Sequence, residues 1–132
     1  MQYTTMSSNP VVYFEIPVLD LHRARTFYEA VFGFEFEMDN IDNNEMAIFP
    51  FKEEEKGISG ALAKGEIYQP SLAGILVYFY TQDITETLNT AVQNGAEILY
   101  PVTSNGQWGF VAEFKDSEGN RIGLHQALTH EG

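Results

Sequence analysis

The chain contains no cysteine, so disulfides, thiolate metal sites and a cysteine nucleophile are all excluded. The three histidines, His22, His125 and His130, include no pair four residues apart and no Glu-x-x-His, so the helical zinc motif is absent. No Gly-x-Ser-x-Gly elbow presents a serine for nucleophilic attack. Gly57-Ile58-Ser59-Gly60 is too short to cradle a phosphate and runs into a strand pattern. What remains is a few polar groups set among aromatics, which make up 14% of the residues. Glu15 follows Tyr13 at strand spacing and could act as a base or a ligand. His125 closes the last strand pattern, and Tyr78 stands in the middle of the chain. Most aromatics, such as Phe49, Phe51, Tyr80 and Phe110, fall on or beside strand patterns, where core packing is their ordinary use. Trp108, the only tryptophan, lies between Asn105-Gly106-Gln107 and Gly109, where a ring can close the mouth of a pocket. His22, beside Arg23 and Arg25, reads as solvated, and His130 lies in a tail.

The elements that must position these groups have to fit in 132 residues, a length suited to one domain. A loose leader over 1–9, a single domain over 10–127 and a tail over 128–132 are expected. Apolar residues are 44% and charged residues 20%, as in ordinary globular proteins. The net charge of −12 repels phosphate backbones, so neither nucleic acid nor an anionic membrane is an expected partner. The acids crowd between Glu35 and Glu55 and read as a solvated, self-repelling loop. Met1 to Pro10 lacks an apolar signal region, and no run approaches the roughly 20 residues of a membrane span, so a cytoplasmic location is expected.

The periodicities predict an α+β protein built as a tandem repeat of strand, helix and three strands. Val11–Val18 reads as a strand, with Pro17 marking an edge or an end. Asp20 caps a helix carrying Leu21, Ala24, Phe27, Tyr28, Val31 and Phe32 on one stripe, and Gly33 stops it. Strands over Phe34–Met38, Met46–Phe51 and Gly57–Ala63 follow. The order then recurs. Gly74–Tyr80 is a strand, and Asp83 with Glu86 forms a capping pattern. Ile84, Leu88, Ala91 and Val92 make a stripe ended by Asn94-Gly95. Ala96–Tyr100, Phe110–Lys115 and Arg121–Gln126 are the closing strands. The halves, about 10–63 and 72–127, align at Asp20 and Asp83, and again at Gly60 and Gly123. Each half alone would leave a sheet face bare, so the two must pack together.

Val11-Val12-Tyr13-Phe14-Glu15-Ile16-Pro17-Val18 with Asp20, Phe27-Tyr28 and Phe32-Gly33-Phe34 resembles the opening motif of the vicinal-oxygen-chelate superfamily. Lys115-Asp116-Ser117-Glu118-Gly119-Asn120 followed by Arg121-Ile122-Gly123-Leu124 resembles its closing motif. That superfamily includes glyoxalases, bleomycin-resistance proteins and extradiol dioxygenases, and the chain is most similar to its glyoxalase-related group. The resemblance implies paired βαβββ units forming a curved mixed sheet, a homodimer, and a divalent metal held at positions that fall here on Tyr13, Gly60, Leu76 and Gly123. None of the four carries a usual ligand, whereas such an ion needs three or four converging donors. Glu15 and His125, with Tyr78, are the alternative ligands that strand alternation offers.

No cofactor is therefore expected, with a divalent metal as the alternative. Tyr13, Glu15, Tyr78, Trp108 and His125 are expected to line one cup for a small neutral or cationic organic molecule, with Glu15 as its polar anchor and candidate catalytic group. Three functions fit: a small-molecule binder with a degenerate metal site, a metal-dependent lyase or isomerase of glyoxalase type, and an acidic drug-binding protein.

Overall fold

A computed structural model describes residues 9–128. Most of the expected leader and His130 lie outside the described residues. The chain runs β1 (Phe14–Pro17), α1 (Leu21–Phe32), β2 (Glu37–Ile41), β3 (Asn44–Ile48) and β4 (Gly60–Lys64). It continues with β5 (Val77–Tyr80), α2 (Ile84–Gln93), β6 (Glu97–Ser104), β7 (Phe110–Lys115) and β8 (Arg121–Gln126). The tandem strand–helix–three-strand order is thus present in an α+β protein.

Both helices begin where a side chain satisfies an orphan backbone donor. Asp20 accepts from the Arg23 N–H at 3.0 Å, and Asp83 accepts from that of Glu86 at 3.0 Å. The reciprocal arm of the second cap is missing, because the Asp83 N–H goes to the Thr81 hydroxyl at 3.2 Å. Gly33, at φ 76°, supplies the left-handed stop of α1.

The strands divide into two four-stranded sheets of matching order, β1-β4-β3-β2 and β5-β8-β7-β6. In each sheet the first strand runs parallel to the last and sits at an edge. Pro17, without an N–H, is tolerated at such an edge. The first strand is shorter than its apolar run: Val11, Val12 and Tyr13 are exposed and lie before β1. The acidic stretch read as a loop instead forms, in its first part, the β2–β3 hairpin. Asp42 and Asn43 take φ of 52° and 66°, the two left-handed residues of a type I′ turn, and Ile41 pairs with Asn44.

One core joins the halves. Ile16, Leu62 and Ala47 from the first sheet and Phe114, Ile122 and Leu124 from the second pack with Phe27, Tyr28, Ile84 and Leu88 from the helices. Strand alternation turns Glu15, Ala61 and Ala63 to the opposite face of the first sheet, and Tyr78, Gly123 and His125 to that of the second. A small second cluster of Met46, Ala61 and Ala63, with Tyr68 against it, covers part of that first face. Among the described residues no helix is long and apolar enough to cross a membrane.

Candidate functional site

The free edges of β1 and β5 face each other without a hydrogen-bonded ladder. Between them lies a cavity of about 820 Å³. Its walls are Phe14, Ile16, Phe49, Val77 and Phe79, and Tyr13, Glu15 and Tyr78 line it as well. A second, more open depression of about 450 Å³ lies over the second sheet, lined by Tyr78, Tyr80, Asn105, Trp108, Val111 and His125. The five residues expected in one cup are therefore divided. Tyr13 and Glu15 line the larger cavity, Trp108 and His125 the smaller, and Tyr78 borders both. The physical reason is that Glu15 and His125 belong to different sheets, each paired to its own partner strand.

Glu15 is held by two phenols. The Tyr13 hydroxyl donates to Oε2 at 3.0 Å, and the Tyr68 hydroxyl donates to Oε1 at 2.7 Å. Each carboxylate oxygen keeps a second lone-pair direction for another donor. Burial, reinforced by the hydrogen bond and charge of Glu15, pushes the Tyr13 phenol up to about 12, so it remains a donor at neutral pH. Its own hydrogen bond to Glu15 raises the Tyr68 phenol. Tyr68 lies between the halves, in a segment without strand or helix periodicity, and no sequence signal singled it out. Its position follows from a turn, with its N–H on the Gly65 carbonyl at 3.0 Å. A Cβ at Gly65 would stand 2.0 Å from the Asn44 Oδ1, so that side chain would have to turn aside.

Two cations also line the larger cavity, Lys56 and Arg121. Arg121 is paired with Glu113 on the neighbouring strand. It does not pair with Glu15, and neither does His125. The His125 Nε2 donates to the Trp108 carbonyl at 3.0 Å, because a carbonyl can only accept.

The metal positions implied by resemblance resolve as follows. The pairing register sets Glu15 opposite Ala61 and Tyr78 opposite Gly123. Ala61, not Gly60, is thus the counterpart of Gly123. Gly60 pairs with Phe14 on the core face, where a Cβ would stand 2.0 Å from the Phe14 carbonyl oxygen. Gly123 does lie on the outer face, and the Tyr78 ring rests over it: a Cβ at Gly123 would stand 2.5 Å from that ring. Among the described residues no three His, Cys, Asp or Glu side chains converge as a metal would need. Glu15 and His125 line different depressions, so among the described residues no donor set fits a divalent ion.

The sequence profile of the Glyoxalase/Bleomycin resistance protein/Dioxygenase superfamily matches residues 11–124. No curated protein matches the chain by sequence. Among solved structures, a glyoxylase/bleomycin resistance protein/dioxygenase domain from Frankia sp. EAN1pec is 16% identical, with a TM-score of 0.71, covering 92% of this chain and 100% of that one. The antibiotic binding protein TnmS3 from Streptomyces sp. CB03234 is 24% identical, with a TM-score of 0.64, covering 94% and 100%. A glyoxalase I variant from Zea mays is 17% identical, with a TM-score of 0.65 over 89% of this chain. The chain spans only 46% of that maize protein. At these identities the likeness establishes the fold.

Proposed function

The chain belongs to the Glyoxalase/Bleomycin resistance protein/Dioxygenase superfamily, and from that premise we propose that it binds a small, planar organic molecule between β1 and β5 without a metal. The fold hosts many chemistries, so function has to be argued from the site. The observation that carries the reading is the combination of an apolar cavity of about 820 Å³ and one carboxylate locked by two phenols at its wall. A cavity of this size accommodates a drug-sized ligand, with aromatic walls for its faces and a few fixed polar groups to orient it. Glu15 accepts a hydrogen bond from an N–H or O–H of the ligand, while Tyr13 and Tyr68 fix its rotamer. The antibiotic-binding relative supports this reading as an example of the fold used for capture.

A homodimer is part of the proposal. Val12 and Ile75 are exposed beside the larger cavity, and Ile75 is 94% exposed. A second copy would cover such a surface. Light scattering is expected to give twice the mass of one chain.

Calorimetric titration of chelator-treated protein with planar, amide- or amine-bearing aromatics tests the binding claim. At least one compound is expected to bind saturably, and Glu15→Gln to weaken it about tenfold by replacing a charge-assisted acceptor. Binding only after a divalent metal is added would overturn the reading.

A further inference from the structure

We propose that the smaller depression, over the second sheet, is a separate receptor site for a quaternary or tertiary ammonium group. The proposal does not rest on the reading of the larger cavity, although Tyr78 and Tyr80 border both.

Three rings surround this depression, Tyr78, Tyr80 and Trp108, and they are 48%, 66% and 66% exposed. Phe14, Phe27, Tyr28, Phe32, Phe34, Phe36, Phe49, Phe79 and Phe114 engage one another in close ring pairs. Among the described residues, Tyr78, Tyr80 and Trp108 take part in none of these pairs. Their outward π faces, which carry partial negative charge, are therefore not engaged by another ring.

The surroundings favour a cation over a neutral group. No lysine or arginine lines the depression. The two cations that strand alternation places on the same sheet face are already paired, Arg121 with Glu113 and Lys115 with Glu97. The chain as a whole carries −12. An incoming ammonium group thus meets aromatic faces and a favourable long-range field without displacing an internal cation.

The rings are also held in place. Tyr78 rests over Gly123, where only a hydrogen leaves room for it. Trp108 belongs to a short 3-10 turn, Gly106–Trp108, whose carbonyl accepts from His125. The next residue, Gly109, passes so close to β8 that a Cβ would stand 2.1 Å from the Gln126 carbonyl oxygen. The turn is thereby anchored to the strand that carries His125.

Choline is the probe, and its neutral isostere, with tert-butyl in place of trimethylammonium, is the control. Calorimetry should show saturable choline binding in the millimolar range and at least tenfold weaker binding of the isostere. Trp108→Ala and Tyr80→Ala should each weaken choline about tenfold, whereas Trp108→Tyr should keep most of the affinity. Both side chains are exposed, so the variants should melt like the parent, which a thermal scan checks. Equal binding of choline and its isostere, unchanged choline affinity in both alanine variants, or no saturable choline binding would each overturn the proposal. Trp108 does not line the larger cavity, so the Trp108 variants leave the reading of Glu15 untouched.

Discussion

Tyr78 and Gly123 show how much a single missing methyl group decides. The register places them side by side, and the ring occupies the space a Cβ would take. Gly123→Ala is therefore expected to swing the half-exposed Tyr78 away from the sheet. Because the ring can move into solvent, the stability cost should stay near 1 kcal/mol. Ligand binding at both depressions should change together, readable by calorimetry on the same variant. The pairing of Tyr13 with Glu15 was legible in the sequence, because alternation along a strand is local. Tyr68 was not legible, because it reaches Glu15 from a turn with no periodicity. The separation of Glu15 from His125 was not legible either. It depends on which strands pair, and nothing within either strand specifies that. Gly60 illustrates the same limit, since a one-residue offset in pairing moves it from the outer face to the core face.

Caps and turns fix where the elements begin and end. Asp83→Ala removes the acceptor for the Glu86 N–H and should cost about 1 kcal/mol in denaturant unfolding. The β2–β3 hairpin turns on two non-glycine residues with positive φ, Asp42 and Asn43. Asn43→Gly should relieve that conformation and raise stability by about 0.5 kcal/mol, measured in the same way. Both helices were readable from their apolar stripes and Asp caps, and β7 and β8 begin and end where their patterns do. Strands were expected over Phe34–Met38 and Met46–Phe51, whereas β2 and β3 run Glu37–Ile41 and Asn44–Ile48, because the charges between them suggested solvated chain and masked the turn. The β2 strand is exposed throughout. Alternation then has little burial to record in β2.

The two halves are clasped by the segment from Asp116 to Asn120. The buried Tyr28 hydroxyl of α1 donates to the Asp116 Oδ2 at 2.7 Å, and the Asn120 Nδ2 donates to the Pro17 carbonyl at 2.8 Å. Glu118 accepts from the N–H groups of Leu19 and Asp20 and from the guanidinium of Arg23. Burial alone would raise the Glu118 carboxyl, but Arg23, those N–H groups and the Ser117 hydroxyl outweigh it and hold it below the usual range. A carboxylate lowered on folding stabilises the protein above its unfolded pKa. That contribution is lost as pH falls through the folded value. Glu118→Gln should thus cost about 2 kcal/mol at neutral pH and flatten the acid limb of a stability profile. Resemblance marked this segment as a motif, while its role in joining α1 to the second sheet emerges only from the three-dimensional arrangement. With the halves held in this way, the edges of β1 and β5 enclose the cavity on which the functional reading depends. The most direct test of that reading is two-dimensional NMR of chelator-treated protein titrated with a planar aromatic amine. The account predicts shifts concentrated at Tyr13, Glu15, Val77 and Tyr78 that need about tenfold more ligand to saturate in Glu15→Gln. Shifts confined to other surfaces, or seen only after metal is added, would contradict it.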